Sequence, residues 1–229
     1  MQPLIVFDLD GTLVDTAPDL IDTLNLILAR QGLPPVSYDD ARPMIGAGAR
    51  ALLERGLSAR GHKAPDGLLD QLFEQYLVHY ADHIADRSRP FPGVETAMNN
   101  LAACGFRFAV CTNKLEWLSR KLLDKLELSD KFAAICGQDT FGVKKPDPEV
   151  LRRTIEAAQG SDRRTIMVGD SETDITLARN AGVPVIAVDF GYTDRPIASF
   201  KPDKVISHFD DLEAAIRRLP GFEADIQTR

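Results

Sequence analysis

Asp8-Leu9-Asp10-Gly11-Thr12 closes a short apolar run from Leu4 to Phe7. Side chains alternate along extended backbone, so Asp8 and Asp10 point the same way while Leu9 points opposite, setting two carboxylates together at one edge. Like charges this close require a cation or a shared proton, and Gly11 permits the tight turn that leaves the strand. Further groups of this kind follow along the chain. Cys111-Thr112-Asn113-Lys114 offers a hydroxyl, a side-chain amide and backbone N–H groups, all of which bind phosphate. In Lys144-Lys145-Pro146-Asp147-Pro148, Pro146 fixes the backbone after Lys145 and Pro148 is placed to open a helix. Val168-Gly169-Asp170-Ser171-Glu172-Thr173-Asp174 puts Asp170 at a strand end and Asp174 one turn into a helix, within reach of one point. Carboxylates as hard oxygen ligands for Mg²⁺, a lysine and a hydroxyl–amide pair are the equipment of phosphoryl transfer.

These groups have to be positioned by the elements between them. Leu4 to Phe7, Phe106 to Cys111, Ala133 to Cys136, Thr165 to Val168 and Val183 to Val188 read as buried strands, with a weaker one at Lys204 to Ser207. Helix-period segments alternate with them at Glu95 to Cys104, Glu116 to Leu126, Pro148 to Ala158, Glu172 to Ala181 and Asp211 to Leu219. The alternation predicts an α/β fold, a Rossmann-like doubly wound parallel sheet, with its ligand site beyond the carboxyl ends of the strands. Residues from about 16 to 85 break the rhythm with helix patterns alone: Leu20, Ile21, Leu24, Ile27 and Leu28 form one apolar face, and Leu68 to Ile84 another. The expected organisation is a discontinuous core, 1–15 and 86–229, with a helical cap, 16–85, inserted after the first strand.

The chain has 229 residues, enough for a sizeable core plus a smaller domain, at 44% hydrophobic and 27% charged residues. A net charge of −7 argues against nucleic acid and anionic membranes as partners. Cys104, Cys111 and Cys136 lack C-x-x-C spacing and read as reduced core residues. The sequence opens directly into a strand pattern without a charged leader or a run able to span a bilayer, so a cytoplasmic protein is expected.

Taken singly, each cluster has a plainer use as a strand end, a helix cap or a solvated pair. Jointly, D-x-D-G-T, T-N-K, K-K-P and G-D-S-x-x-D, in this order and each after its own strand, resemble the signatures of the haloacid dehalogenase superfamily over essentially the whole chain. That resemblance implies a phosphatase acting on a small phosphorylated metabolite. It makes Asp8 the nucleophile that forms an aspartyl phosphate and Asp10 the general acid and base. It gives Mg²⁺ to Asp8, the backbone carbonyl of Asp10, Asp170 and Asp174, the last directly or through water. Thr112 and Asn113 would hold the transferring oxygens, and Lys145, which directly precedes the proline, would take the charge-neutralising role in preference to Lys144.

Within the inserted segment, Ile45-Gly46-Ala47-Gly48-Ala49-Arg50-Ala51-Leu52 places two glycines before a helix, which can expose N–H groups to an anion, and Arg50 can clamp a carboxylate. A plain interhelical loop is the equal alternative. The segment is similar to the cap loop of bacterial phosphoglycolate phosphatases, which implies 2-phosphoglycolate as substrate and Gly46, Gly48 and Arg50 as specificity residues. A mutase resembling β-phosphoglucomutase shares all four signatures and is the alternative, whereas Asp10 argues against a dehalogenase, which protonates no alkoxide. A receiver-like phosphoacceptor module would carry its aspartate on a later strand and lack so large a helical insert. His79 and His83 have a metal-compatible spacing, but no acidic residue completes an H-E-x-x-H pattern and they read as helix-surface residues, while Trp117 with Leu118 reads as a packing anchor. Monomer and dimer remain equal expectations.

Overall fold

The computed structural model describes residues 2–63, 65–223 and 225. The chain forms β1 (Leu4–Phe7), β2 (Val14–Asp15), α1 (Ala17–Arg30), α2 (Tyr38–Ala41), α3 (Ala49–Ala59), α4 (Asp66–Asp82) and β3 (Arg89–Pro90). It continues with α5 (Val94–Ala103), β4 (Arg107–Cys111), α6 (Glu116–Lys125), β5 (Ala134–Cys136), α7 (Pro148–Ala157), β6 (Thr165–Gly169), α8 (Glu172–Ala181), β7 (Val185–Val188), β8 (Lys204–Ile206) and α9 (Leu212–Arg217).

Among the described residues, six strands form one parallel sheet in the order β5-β4-β1-β6-β7-β8. The two-residue side-chain period splits its core into two layers. Ile5 and Phe7 of β1 face α5, α6 and α9, while Leu4 and Val6 face α7 and α8. Both faces are therefore covered, which is why the strands read as continuous apolar runs rather than alternating ones. The chain order reverses beside β1, where β4 lies on one side and β6 on the other. The last pairs of these ladders are Phe7 with Val110 and Phe7 with Val168. Residue 8 thus leaves the sheet between the loops that carry residues 112–114 and 170–174.

Between β2 and β3 the chain is helical. α1 packs on α3 and α4, with Leu24 fully buried and pressed against Gly56. The helix-only reading of this stretch omits the short antiparallel pair of β2 with β3 that flanks it, in which Val14 meets Pro90 and Asp15 meets Arg89. Those two-residue strands are too short for a periodic signal, and Pro90 argues against a strand. Buried Asp19 of α1 ties down the returning chain by accepting from the Arg87 and Ser88 amides and the Ser88 hydroxyl. Trp117 is a correction: its side of α6 faces outward at 46% exposure, and Leu118 makes the buried contact instead. None of the helices in the described residues is long and apolar enough to cross a membrane.

Gly137, just after β5, lies directly against the loop that leaves β4. A methyl group there would come within 2.3 Å of the Glu116 amide nitrogen and 2.6 Å of the Lys114 carbonyl oxygen. Backbone has little room to yield, so Gly137→Ala should cost about 1–3 kcal/mol. A urea melt should show a lowered midpoint at unchanged slope, and a wild-type midpoint would contradict this close packing.

Candidate active site

Asp8 stands at the end of β1, and 5% of it is exposed. One of its oxygens accepts from the Leu9 amide at 2.7 Å and from the Lys145 ammonium at 2.8 Å. Lys145 also donates to Asp174 at 2.7 Å and is itself sealed from solvent, whereas Lys144 is exposed. Asp174 sits in the first turn of α8, its second oxygen accepting from the Ser171 hydroxyl at 2.6 Å in a reciprocal capping box. The capping motif therefore does more than start a helix. It fixes the carboxylate that holds Lys145.

Asp170 completes the cluster. It accepts from the Tyr192 amide at 2.8 Å and the Thr12 hydroxyl at 3.1 Å. Oxygen atoms of Asp8, Asp170 and Asp174 lie within 4.8 Å of one another, all in buried side chains. Burial, followed by the repulsion of Asp174 and Asp8, pushes Asp170 up to about 8. Burial likewise lifts Asp8 to about 6, with Lys145 opposing and Asp174 adding to the rise. For Lys145 burial favours the neutral amine, but Asp174 and Asp8 outweigh it and hold the ammonium protonated well above the usual lysine range. Three buried carboxylates facing one ammonium remain unbalanced when ionised. An all-oxygen donor set with excess negative charge suits a hard divalent cation such as Mg²⁺.

Asp10 stands apart from this cluster, its carboxylate held by the Lys114 ammonium at 2.9 and 3.2 Å. Thr112 is buried in the loop after β4, and its hydroxyl accepts from the Lys114 amide at 3.3 Å. Asn113 donates its amide to the Gly46 carbonyl at 3.1 Å, while its own buried side-chain oxygen has no partner among the described residues. Gly46 and Gly48, with Ala49 and Leu52 of α3, line the same cavity as Asp8, Asp10, Thr112 and Asn113. Leu20, Ile45, Leu115, Leu118 and the Tyr80 ring add apolar lining to it. Arg50 is not brought to this cavity. Its guanidinium turns to Asp70 at 2.6 Å and Glu54 at 3.7 Å, over the ring of Phe73. One helical position away from Ala49 is enough to turn it outward. His79 bonds Thr23 and His83 bonds Asp86, their rings stacked at 4.3 Å, outside the acidic cluster.

Thr12, Lys114, Tyr80 and Tyr192 are site residues that sequence reasoning passes over. Thr12 and Lys114 lie inside quoted motifs and carry their own signal. Tyr80 reads only as a member of an apolar helix face, and Tyr192 stands after β7 in a segment without a motif.

The parallel sheet, the acidic cluster at its switch point and the buried lysine define a hydrolase of the haloacid dehalogenase type. A model of the haloacid dehalogenase-like hydrolase family matches residues 5–188, and the chain belongs to that family. It is a phosphoric monoester hydrolase, in keeping with its relatives. It is 50% identical over 211 residues to a phosphoglycolate phosphatase of Mesorhizobium japonicum, covering 92% of this chain and 93% of the relative. To a phosphoglycolate phosphatase of Agrobacterium fabrum it is 47% identical over 216 residues, covering 94% and 93%. The fold also matches the crystal structure of a predicted phosphoglycolate phosphatase from Haemophilus somnus, with TM-score 0.87, 29% identity and coverage of 93% of this chain and 97% of that one.

Tyr192 joins the cluster to the start of the helical segment. Its amide holds Asp170, and its hydroxyl donates to Asp15 while accepting from the amides of Thr16 and Ala17 at 2.7 and 2.9 Å. Tyr192→Phe leaves those buried groups unpaired and should cost about 1–3 kcal/mol of stability. Thermal unfolding checks this, and an unchanged melting temperature would show that the hydroxyl is dispensable.

Proposed function

We propose that this chain is a Mg²⁺-dependent phosphatase that converts 2-phosphoglycolate to glycolate and phosphate through an aspartyl phosphate on Asp8. The observation that carries the chemistry is the paired placement of Lys145 on Asp8 and Asp174. It presents a carboxylate whose charge is partly balanced, in a cavity also lined by the Thr112 hydroxyl and the Asn113 amide.

In this reading an oxygen of Asp8 attacks phosphorus as the bond from phosphorus to the leaving oxygen breaks. Asp10, entering the step in its protonated form, gives that oxygen its proton. The resulting carboxylate of Asp10 then takes a proton from water as the water oxygen attacks phosphorus, and the bond to Asp8 breaks to release phosphate. Lys145, Thr112 and Asn113 meet the phosphoryl oxygens. Asp8, Asp170 and the Asp10 backbone carbonyl would hold Mg²⁺, which would supply positive charge against the phosphoryl group. Asp174, bonded to Lys145 and Ser171, would join them directly or through a water.

The substrate preference rests on the relatives' activity and on the shape of the cavity. Leu20, Ile45, Leu52, Leu115 and Leu118 line it beside the polar groups, and the turn from Gly46 to Gly48 brings the start of α3 to it. Free N–H groups at a helix start suit a small carboxylate. Arg50 then serves to tether α3 to α4 through Asp70. We assign residues 16–85 as the cap and 1–15 with 86–229 as the core, since Asn113 meets Gly46 and Lys114 meets Tyr80 across the cavity. The core groups recognise phosphate, so the cap has to supply discrimination among esters.

Phosphate release from 2-phosphoglycolate and a panel of other small phosphate esters tests this reading. Hydrolysis should be fastest for 2-phosphoglycolate, vanish in EDTA, return with Mg²⁺ and be abolished by Asp8→Asn in a folded protein. Full activity in EDTA, or Asp8→Asn within about tenfold of wild type, would overturn the mechanism. A faster rate on another ester would reassign the substrate.

A further inference from the structure

Lys114 is the second buried lysine of the cavity, with 4% of its side chain exposed. A buried ammonium has three donors to satisfy, and here they converge on groups from two separate parts of the chain. Both oxygens of Asp10 accept from it at 2.9 and 3.2 Å, and the hydroxyl of Tyr80 accepts at 2.7 Å. The ammonium also lies 4.5 Å from the centre of the Tyr80 ring, an attractive placement in its own right. Tyr80 belongs to α4 and is fully buried, so its hydroxyl needs a partner. Within the described residues that partner is Lys114. Asp10 likewise makes its side-chain bonds to Lys114 alone among them.

We propose that Lys114 and Tyr80 are a positioning pair for Asp10, through which the helical segment fixes the direction of that carboxylate when it lies against the sheet. This rests on the acid and base role proposed above for Asp10. The geometry is a relay of three groups. α4 carries Tyr80, Tyr80 limits where the Lys114 ammonium can sit, and Lys114 limits where the Asp10 carboxylate can turn. A flexible four-carbon stem would otherwise leave the ammonium several rotamers. Removing the Tyr80 hydroxyl keeps the ring and the charge but releases one of those constraints. Its effect should therefore appear in the step where Asp10 moves a proton, and not in the affinity for substrate.

The discriminating experiment measures kcat and KM on 2-phosphoglycolate, whose alkoxide leaving group needs a proton, and on p-nitrophenyl phosphate, whose leaving group needs little. The enzymes compared are wild type, Asp10→Asn, Tyr80→Phe, Lys114→Met and the double variant of Asp10→Asn with Tyr80→Phe. Tyr80→Phe should lower kcat on 2-phosphoglycolate by about tenfold, with a smaller loss on p-nitrophenyl phosphate and KM within about twofold of wild type. Lys114→Met should show the same selectivity with a larger loss. The double variant should be no slower than Asp10→Asn alone, because the pair acts only through Asp10.

Equal losses on the two substrates, or losses that multiply in the double variant, would overturn the proposal. A rise in KM confined to 2-phosphoglycolate and still present with Asn at position 10 would also overturn it, by making Lys114 a direct contact to the substrate carboxylate. Should Asp10→Asn itself lack the leaving-group dependence, the acid and base reading fails and the relay falls with it. Should Asp10→Asn show that dependence while Tyr80→Phe and Lys114→Met do not, the relay alone fails.

Discussion

The buried Lys145 ammonium lies between the carboxylates of Asp8, at the end of β1, and Asp174, in the first turn of α8. Removing the Lys145 ammonium would leave two buried carboxylates uncompensated, a destabilisation of about 3–5 kcal/mol. An apolar replacement of the whole group would fold at least as easily. The arrangement is therefore costly as architecture and makes sense as chemistry: it holds a carboxylate in a low-dielectric site with its charge only partly answered. Much of the surrounding structure follows from the need to keep that group together. The capping box of Ser171 and Asp174 fixes one partner, and the parallel ladders on both sides of β1 fix the other.

Close packing around Asp170 follows from the same constraint. A methyl group at Gly11 would come within 2.6 Å of an Asp170 oxygen, and one at Gly191 within 2.2 Å of its β-carbon. Gly169 makes a comparable approach to Asp174, where a methyl would lie 2.4 Å from the β-carbon. Backbone thus crowds the carboxylates from several sides, and oxygens of Asp170 and Asp174 are held within 4.8 Å of each other and of Asp8. The opposite wall is built from the helical segment, whose contacts with the sheet edge run through Gly46, Tyr80 and the carbonyl of Phe190, which accepts from Arg42.

The parallel sheet was legible because its strands are buried on both faces and interrupted by helices of clear period, so hydrophobic runs mark them without reference to distant residues. The positions of Asp8, Asp170 and Asp174 followed from the same logic, since the first two stand just past strand ends and the third one helical turn further on. Side-chain direction was not legible in the same way. Whether Arg50 faces the cavity or Asp70 depends on the rotation of α3 against α4, a tertiary quantity with no local sequence signal. The partnership of Lys114 with Tyr80 joins residues 34 apart in sequence, and that of Tyr192 with Asp15 joins residues 177 apart. The first lies hidden in an apolar helix face and the second in a loop without periodicity. Trp117 shows the converse failure: a large aromatic on an amphipathic helix suggests an anchor, but the face of α6 that packs is the one bearing Leu118 and Leu122.

The central claim is that the phosphoryl group passes through Asp8 and not directly to water. Two successive displacements at phosphorus restore its configuration, whereas a single one inverts it. Hydrolysing a phosphate ester made chiral with oxygen isotopes and sulfur, in isotopically labelled water, reads the outcome in the released thiophosphate. Net retention of configuration is the result this account predicts, and net inversion would contradict it.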